Sequence, residues 1–297
     1  MSSKYFLLLA ASFCIAVPAQ AQDLEPRLYI NLPIDQNFIA ASYFYSSGDV
    51  DLSSSSTISD ASIQLEGSIL GYSRTLALAD KVAKFDIKSS YSCIAGNALF
   101  SGTRRYGEEC GVGDTQARFS YNFLGPLAQK AKEFRLRPRE LVVGSSVQVN
   151  MPTGDYDGDK ILNIGTNRWY IRPEIGTSIP LGKWEIDLAL GAKIFTDNND
   201  SLGARLQQDP LYNAQIHLSY DIDRRQWLSL NMNYFWGGNT QKDGINAAPA
   251  QKNSRLGLTY SYALNSSYIA KAFYNKGVIN RISNDSDTAG LALIYRY

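Results

Sequence analysis

The chain carries a single histidine, His217, in surroundings where hydrolytic chemistry has to be weighed. Ser219 follows two residues later and Asn231 stands further along. A hydroxyl beside an imidazole base, oriented by a third polar group, is the arrangement that activates an oxygen nucleophile, although a lone imidazole more often serves as a structural hydrogen-bonding group. A second candidate is Asp155-Tyr-Asp157-Gly-Asp159, with three carboxylates at alternate positions. It departs from a calcium loop, because Gly158 stands fourth instead of sixth and Thr166 occupies the place of the bidentate glutamate. No metal and no cofactor are predicted. The third candidate is the pair Cys93 and Cys110, the only cysteines after residue 21. Two sulfurs without a nearby histidine leave a zinc site half empty; in an exported chain the pair is expected to form a disulfide, the alternative being two free thiols.

Export is written at the start of the sequence. Lys4 precedes an apolar run from Tyr5 to Val17, then Pro18 and Ala19-Gln20-Ala21. This pattern predicts a signal peptide over residues 1–21 with an A-x-A cleavage site, and the run is too short to span a bilayer. Cys14 follows Ala11-Ser12-Phe13, which lacks the small residue that lipoprotein processing wants beside the cysteine. Residues 22–36 are expected to form a periplasmic segment or a plug ahead of the first strand. Charge is balanced, 29 basic against 28 acidic residues, with no basic stripe, which excludes a nucleic-acid partner. A mean hydropathy of −0.22 combined with 19 Tyr, 12 Phe and 4 Trp suits strands with one wet and one lipid face.

The elements that must position these residues are β-strands. From Trp184 to Phe195, the residues Trp184, Ile186, Leu188, Leu190, Ala192 and Ile194 alternate with Glu185, Asp187, Ala189, Gly191, Lys193 and Phe195. A helix would scatter these charges around its whole circumference; a strand gathers them on one face. The alternation recurs at 227–236 and 255–264, and strands of about 10 residues span a bilayer when tilted. Twelve strands are expected, at 37–46, 61–72, 82–93, 114–124, 139–151, 167–180, 183–196, 210–221, 226–238, 254–264, 267–279 and 288–297. Long polar connections at 47–60, 94–113, 152–166, 197–209, 239–253 and 280–287 alternate with tight ones at 181–182, 222–225 and 265–266, as outer loops and periplasmic turns do. The connection at 125–138 is longer and allows a short helix. The last strand ends on Tyr295-Arg-Tyr297, resembling the C-terminal signal read by the barrel-insertion machinery. The fold class is therefore all-β, a transmembrane antiparallel barrel over residues 37–297. Its expected place is the outer membrane of a Gram-negative bacterium, among lipid and lipopolysaccharide.

From Met151 onward the sequence resembles the bacterial outer-membrane barrel family named for the meta-cleavage pathway of phenol degradation. The resemblance rests on Met151-Pro-Thr-Gly-Asp155-Tyr-Asp157, Asn163-Ile-Gly165-Thr-Asn167-Arg-Trp169, Pro173-Glu-Ile-Gly176 and Pro180-Leu-Gly182-Lys-Trp184. It covers about 40 residues closely and the rest in organisation. It implies a transporter-like barrel for small organic compounds such as aromatic catabolic substrates.

Strand register assigns Lys84, Asp86, Lys88, Arg118, Glu140, Arg168, Arg172, Glu174, Glu185, Asp187, Lys193, Arg255, Lys271 and Arg296 to the lumen, since a lipid-facing charge costs about 2–4 kcal/mol at the midplane. Arg168, Arg172 and Glu174, with Glu185 and Asp187 across the turn, are the constriction candidates, joined by Lys193 and Arg118. Tyr170, Phe195, Phe235 and Phe273 fall on the inner face as candidates for stacking on a solute. Trp169, Trp184, Trp227, Trp236 and Tyr297 read as interfacial girdles. His217 and Ser219 turn inward. With Asn231 they resemble the His, Ser and Asn of outer-membrane phospholipase A, but that family's triad faces lipid and has Asn-Gly after its serine, where this chain has Tyr220-Asp221. An enzyme is not predicted. The expected function is a channel for small organic solutes; the alternative is a structural or adhesive barrel acting through its outer loops.

Overall fold

The computed structural model describes residues 25–50, 58–134, 138–281 and 284–297. The expected signal peptide, and residues 22–24 of the segment after it, lie outside the described residues. The elements are β1 (Asn37–Val50), β2 (Ile58–Leu78), β3 (Lys81–Phe100), β4 (Thr103–Val112), β5 (Thr115–Leu124), α1 (Ala131–Phe134), β6 (Val142–Met151), β7 (Tyr170–Leu181), β8 (Trp184–Phe195), β9 (Asn198–Ser201), β10 (Ala204–Gln208), β11 (Leu211–Asp221), β12 (Gln226–Gly237), β13 (Thr240–Lys242), β14 (Ile245–Ala248), β15 (Gln251–Ala263), β16 (Tyr268–Arg281) and β17 (Asn284–Arg296). β1 pairs with β2 on one side and with β17 on the other, and the remaining pairings follow chain order, so the sheet closes on itself, β4 alone keeping one unpaired edge above the ring. The lower half of β3 pairs with β5 and its upper half with β4. β4 and β5 thus act as one stave interrupted at Gly113-Asp114, and the barrel has 12 antiparallel staves.

Alternation decides which way each side chain points. On β8, Trp184, Leu190 and Ile194 are 46–58% exposed on the outer face, while Glu185, Asp187 and Lys193 are buried inside. Leu70, Ile175, Leu230, Leu258 and Leu291 continue the outer apolar band around the barrel. So wide an exposed apolar surface is incompatible with water and suits hydrocarbon. Tyr212, Tyr234 and Trp236 stack at one rim and Tyr268, Tyr295 and Tyr297 at the other, the two aromatic belts expected at the membrane interfaces. Among the described residues no helix is long and apolar enough to cross a membrane.

The short connections sit at one end. Gly182 adopts a positive φ between β7 and β8. In the turn between β11 and β12, the backbone N–H groups of Arg225 and Gln226 both donate to Asp223, and the Arg225 N–H above all holds that carboxyl below the ordinary carboxylate range.

The other end differs from the sequence expectation. The expected loop 94–113 continues β3 to Phe100, turns at Ser101-Gly102, both at positive φ, and returns as β4. The expected loops 197–209 and 239–253 hold β9, β10, β13 and β14, a separate four-stranded sheet. β1, β2, β16 and β17 also run further than expected. Beyond the membrane both faces of a strand are wet, so the alternation that reveals a strand in lipid has no cause there. At the periplasmic side β6 begins at Val142 instead of 139.

Candidate functional site

The lumen is crossed by the segment 25–36. Its base is tied to the periplasmic end of β2, where the Asp35 N–H donates to the Thr75 carbonyl at 3.0 Å and the Thr75 hydroxyl donates to the Pro33 carbonyl at 2.7 Å. From there the segment contacts opposite walls. The Arg27 guanidinium lies 2.7 Å from Asp221 and 3.5 Å from Glu185, its backbone N–H donates to Asp187 at 3.0 Å, and its charge sits 4.7 Å over the Trp227 ring. Glu25 meets Arg118 on β5 and, at 3.5 Å, Lys88 on β3.

Between these contacts Tyr29, 2% exposed, enters a slot in the wall. Its hydroxyl donates to Glu174 at 3.1 Å and lies 3.1 Å from the Ser146 hydroxyl. The slot exists because Gly144 and Gly176, neighbours on β6 and β7, have no side chains: a Cβ on Gly176 would stand 2.2 Å from the Tyr29 ring and one on Gly144 2.8 Å from it. Asn122 closes the group by donating to the Tyr29 carbonyl at 3.2 Å.

A second obstruction enters from the outer side. The connection between β6 and β7, which holds most of the sequence motif quoted above, folds inward and buries Ile164 against Phe44, Leu65 and Ile94 of β1, β2 and β3. Ile63, Ile69, Leu162 and Phe273 pack around this cluster. The loop is fixed by Asp114, which accepts from the Asn150 amide and from the backbone N–H groups of Gly154 and Thr166, and by the Gly165 N–H donating to the Asp155 carbonyl at 2.8 Å. Gly154 and Gly165 touch so closely that a Cβ on Gly165 would lie 2.8 Å from the Gly154 backbone, which accounts for both motif glycines. The loop also covers the free edge of β4: the Asp155 N–H donates to the Val112 carbonyl and the Val112 N–H to the Asp155 carboxylate. Asp155 and Asp157 are thus occupied by the fold, Asp157 accepting the Asp159 N–H.

The constriction candidates are all buried on the inner face, but at two levels. Glu174 pairs across from Gly191, whereas Asp187 and Glu185 lie opposite Ser178 and Pro180, nearer the periplasm. At the upper level Arg172 donates to Glu174 at 2.7 Å, and Arg168 donates to Gln208 at 2.6 Å with its charge 4.4 Å over Phe195. Lys193 lies 5.6 Å from the Tyr170 ring centre, and Tyr170 meets Phe195 edge-on. At the lower level Glu185 takes Arg139 at 2.9 Å as well as Arg27. Arg118 stands apart on β5, bonded to Glu25 and Gln148. Of the stacking candidates, Tyr170 and Phe195 belong to this polar wall, Phe273 to the apolar cluster, and Phe235 is buried separately on β12.

Two assignments are corrected. Glu140 is exposed outside β6 and does not line the lumen; its neighbour Arg139 reaches inward instead. Trp227 is no girdle residue, because it shares the inward phase of Ser229 and Asn231 and lies against Arg27 and Lys271. His217, Ser219 and Asn231 are buried in the wall, with His217 Nδ1 2.9 Å from the Asn231 side-chain oxygen. Ser219 is separated from lipid by the sheet itself.

Between the N-terminal segment and the walls formed by β1–β3 and β15–β17 lies a cavity of about 460 Å³. Leu28, Ile30 and Leu32 of the segment and Ile69, Ile269 and Phe273 of the wall supply its apolar surface. Five cations border it, Arg27, Lys84, Lys88, Arg118 and Lys271, against the carboxylates Glu25 and Asp86. The sequence reading missed Glu25, Arg27 and Tyr29, and the apolar residues Phe44, Leu65, Ile94 and Ile164. The signals available were Gly144 and Gly176 on the inward phase of two strands, and large apolar side chains on the wet phase of β1 and β2.

A closed 12-stave barrel, apolar outside and filled inside by its own N-terminal segment and an inturned outer loop, is a transmembrane β-barrel of the outer-membrane type with a narrowed lumen. Its sequence goes further: residues 47–288 match the family described as the putative MetA-pathway of phenol degradation, and the chain belongs to it. The fold is similar to that of an outer membrane channel from Pseudomonas putida F1, at 22% identity and a TM-score of 0.80 over 92% of this chain and 99% of that one. The β domain of the Bordetella autotransporter BrkA (11% identity, TM-score 0.56, 89% of this chain and 100% of that one) and the transport unit of the autotransporter AIDA-I from Escherichia coli (10%, 0.55, 89% and 91%) share the barrel more distantly. No curated protein matches the sequence.

Proposed function

We propose that the protein is a channel of the Gram-negative outer membrane that passes small, weakly polar organic compounds, aromatic ones among them, and excludes bulk hydrophilic solutes. The observation that carries this reading is the apolar cluster of Phe44, Leu65, Ile94 and Ile164, by which the inturned loop packs into the lumen against β1–β3, next to a cavity with an apolar wall. A water-filled pore keeps polar groups at its constriction, whereas an apolar constriction resists wetting and favours solutes that shed water cheaply. A cavity of about 460 Å³ lies within the range that holds a small organic molecule. The family description, with its link to phenol degradation, supports the aromatic part of the reading, and the likeness to the Pseudomonas outer membrane channel supports its channel part. Arg168, Arg172, Glu174, Glu185, Asp187, Lys193 and Arg118 serve in this reading as the polar wall and the docking surface for the N-terminal segment, which acts as a plug. Uptake by cells lacking the protein tests it, alongside planar-bilayer conductance of the purified barrel. Low ion conductance with slowed uptake of small aromatics by the deletion strain is expected; unchanged uptake of every small aromatic tried would refute the proposal.

A further inference from the structure

The five cations bordering the cavity are not equivalent. Arg118 and Lys88 share Glu25, Lys84 lies 3.4 Å from Asp86, and Arg27 is held by Asp221 and Glu185. Lys271 makes no ion pair among the described residues. Its ammonium stands 5.5 Å from the centre of the Trp227 ring, a contact that stabilises a cation without neutralising it. Lys271 projects from β16 on the inner face, two residues from Ile269 and Phe273, so an uncompensated charge directly adjoins apolar surface in a half-enclosed space. A cation away from bulk water without a counter-charge is costly, and that cost falls when an anion arrives. The anion must also cover Leu28, Ile30, Ile69 and Phe273 to use the rest of the cavity.

We propose that this cavity binds a small amphiphilic monoanion, a carboxylate carried on one apolar ring or short chain, with its head on Lys271 and its body against the apolar wall. The inference rests on the channel reading and adds one acidic group to an otherwise apolar solute, which can cross the apolar cluster as the neutral acid and carry its charge at Lys271. Binding involves no covalent step. Glu25 and Asp86 do not repel the head strongly, because each is already matched by a cation. Dianions are disfavoured, since only one cation lacks a partner.

The probes are 4-ethylbenzoate and its neutral isostere 4-ethylbenzamide, titrated calorimetrically into the folded, full-length mature protein. The wild type is expected to bind the benzoate about tenfold more tightly than the amide, the ratio that one additional charge-assisted contact supplies. Lys271→Met should remove that preference and leave amide affinity unchanged, Lys271→Gln should do the same without adding apolar surface, and Lys271→Arg should keep the preference. Equal binding of the two probes by the wild type, or a preference that survives Lys271→Met, would overturn the proposal. Influx of the amide into proteoliposomes reads the channel separately. Influx without charge preference in binding removes the anion site and leaves the channel standing; charge-selective binding without influx supports the site and counts against the channel.

Discussion

Tyr29 is the residue on which the seating of the N-terminal segment most depends, because it alone combines ring burial with hydrogen bonds to two strands. Tyr29→Phe keeps the ring in the Gly144–Gly176 slot and loses the bonds to Ser146 and Glu174. Glu174 retains Arg172 and Gln215, so no carboxylate is stranded, and the expected loss is about 1–2 kcal/mol of local docking. It should appear as faster hydrogen exchange over residues 27–33 with an unchanged barrel melting point. Gly176→Val acts from the opposite wall, where its Cβ would collide with the ring. It should expel the segment and raise conductance several-fold; unchanged exchange would show that the slot is not what holds the segment. His217 makes a different prediction. The Asn231 oxygen also accepts from Ser229 at 2.7 Å, and the Asn231 amide donates to Thr259 at 3.0 Å, so His217→Ala breaks a buried network and should cost about 1–3 kcal/mol. Ester hydrolysis should be the same before and after, and a loss of activity on removing His217 would revive the enzyme reading. The inward direction of the charges was legible because lipid excludes charge. Their partners were not, since Glu25, Arg27 and Tyr29 lie in a stretch without periodicity, where only tertiary contact fixes direction.

Among the elements, the β3–β4 hairpin tests how far the mouth depends on its own bracing. Cys93 and Cys110, paired opposite one another, form a disulfide, and the hairpin above it presents Gly96 and Gly107 to Leu162 of the inturned loop. A bridge across a sequence separation of 17 restrains the unfolded chain by about 3 kcal/mol in the chain-entropy account. The effect should stay local, because β3 is held below by β2 and β5. Replacing both cysteines with alanine is expected to expose residues 94–112 to external protease while the barrel keeps its heat-modifiable migration. Protection equal to wild type would mean that the loop's own hydrogen bonds suffice. The same hairpin marks the limit of strand detection: twelve staves could be counted where one face meets hydrocarbon, and the count of elements failed above that level, where Thr103 to Cys110 are polar on both faces. Trp227 shows the complementary error, in which residue type suggested a girdle although register placed the ring inside.

At the scale of the whole molecule, closure and obstruction are separable. The barrel closes through β1 and β17, whose pairing begins at Phe38 opposite Arg296, beyond the N-terminal segment. Deleting residues 22–33 should therefore leave a folded barrel, losing only contacts such as Arg27 with Asp221 and Glu25 with Arg118. It would leave Arg118 without Glu25 and Asp187 without the Arg27 N–H, facing an emptied lower lumen that water must then fill, because buried charges without partners cannot remain dry, while Glu185 keeps Arg139. The apolar cluster formed with Ile164 would remain as the second barrier. Truncation alone is thus expected to raise conductance by less than truncation combined with Ile164→Ser, which puts a hydroxyl into the cluster of Phe44, Leu65 and Ile94 and removes packing worth about 2–4 kcal/mol. Single-channel recording of the four proteins, wild type, each single change and the combination, decides the matter. If Ile164→Ser opens the pore with the segment in place, the segment is no barrier. If truncation alone yields the full conductance of the combination, the apolar cluster does not restrict flow, and selection of weakly polar solutes must be sought in the cavity next to it.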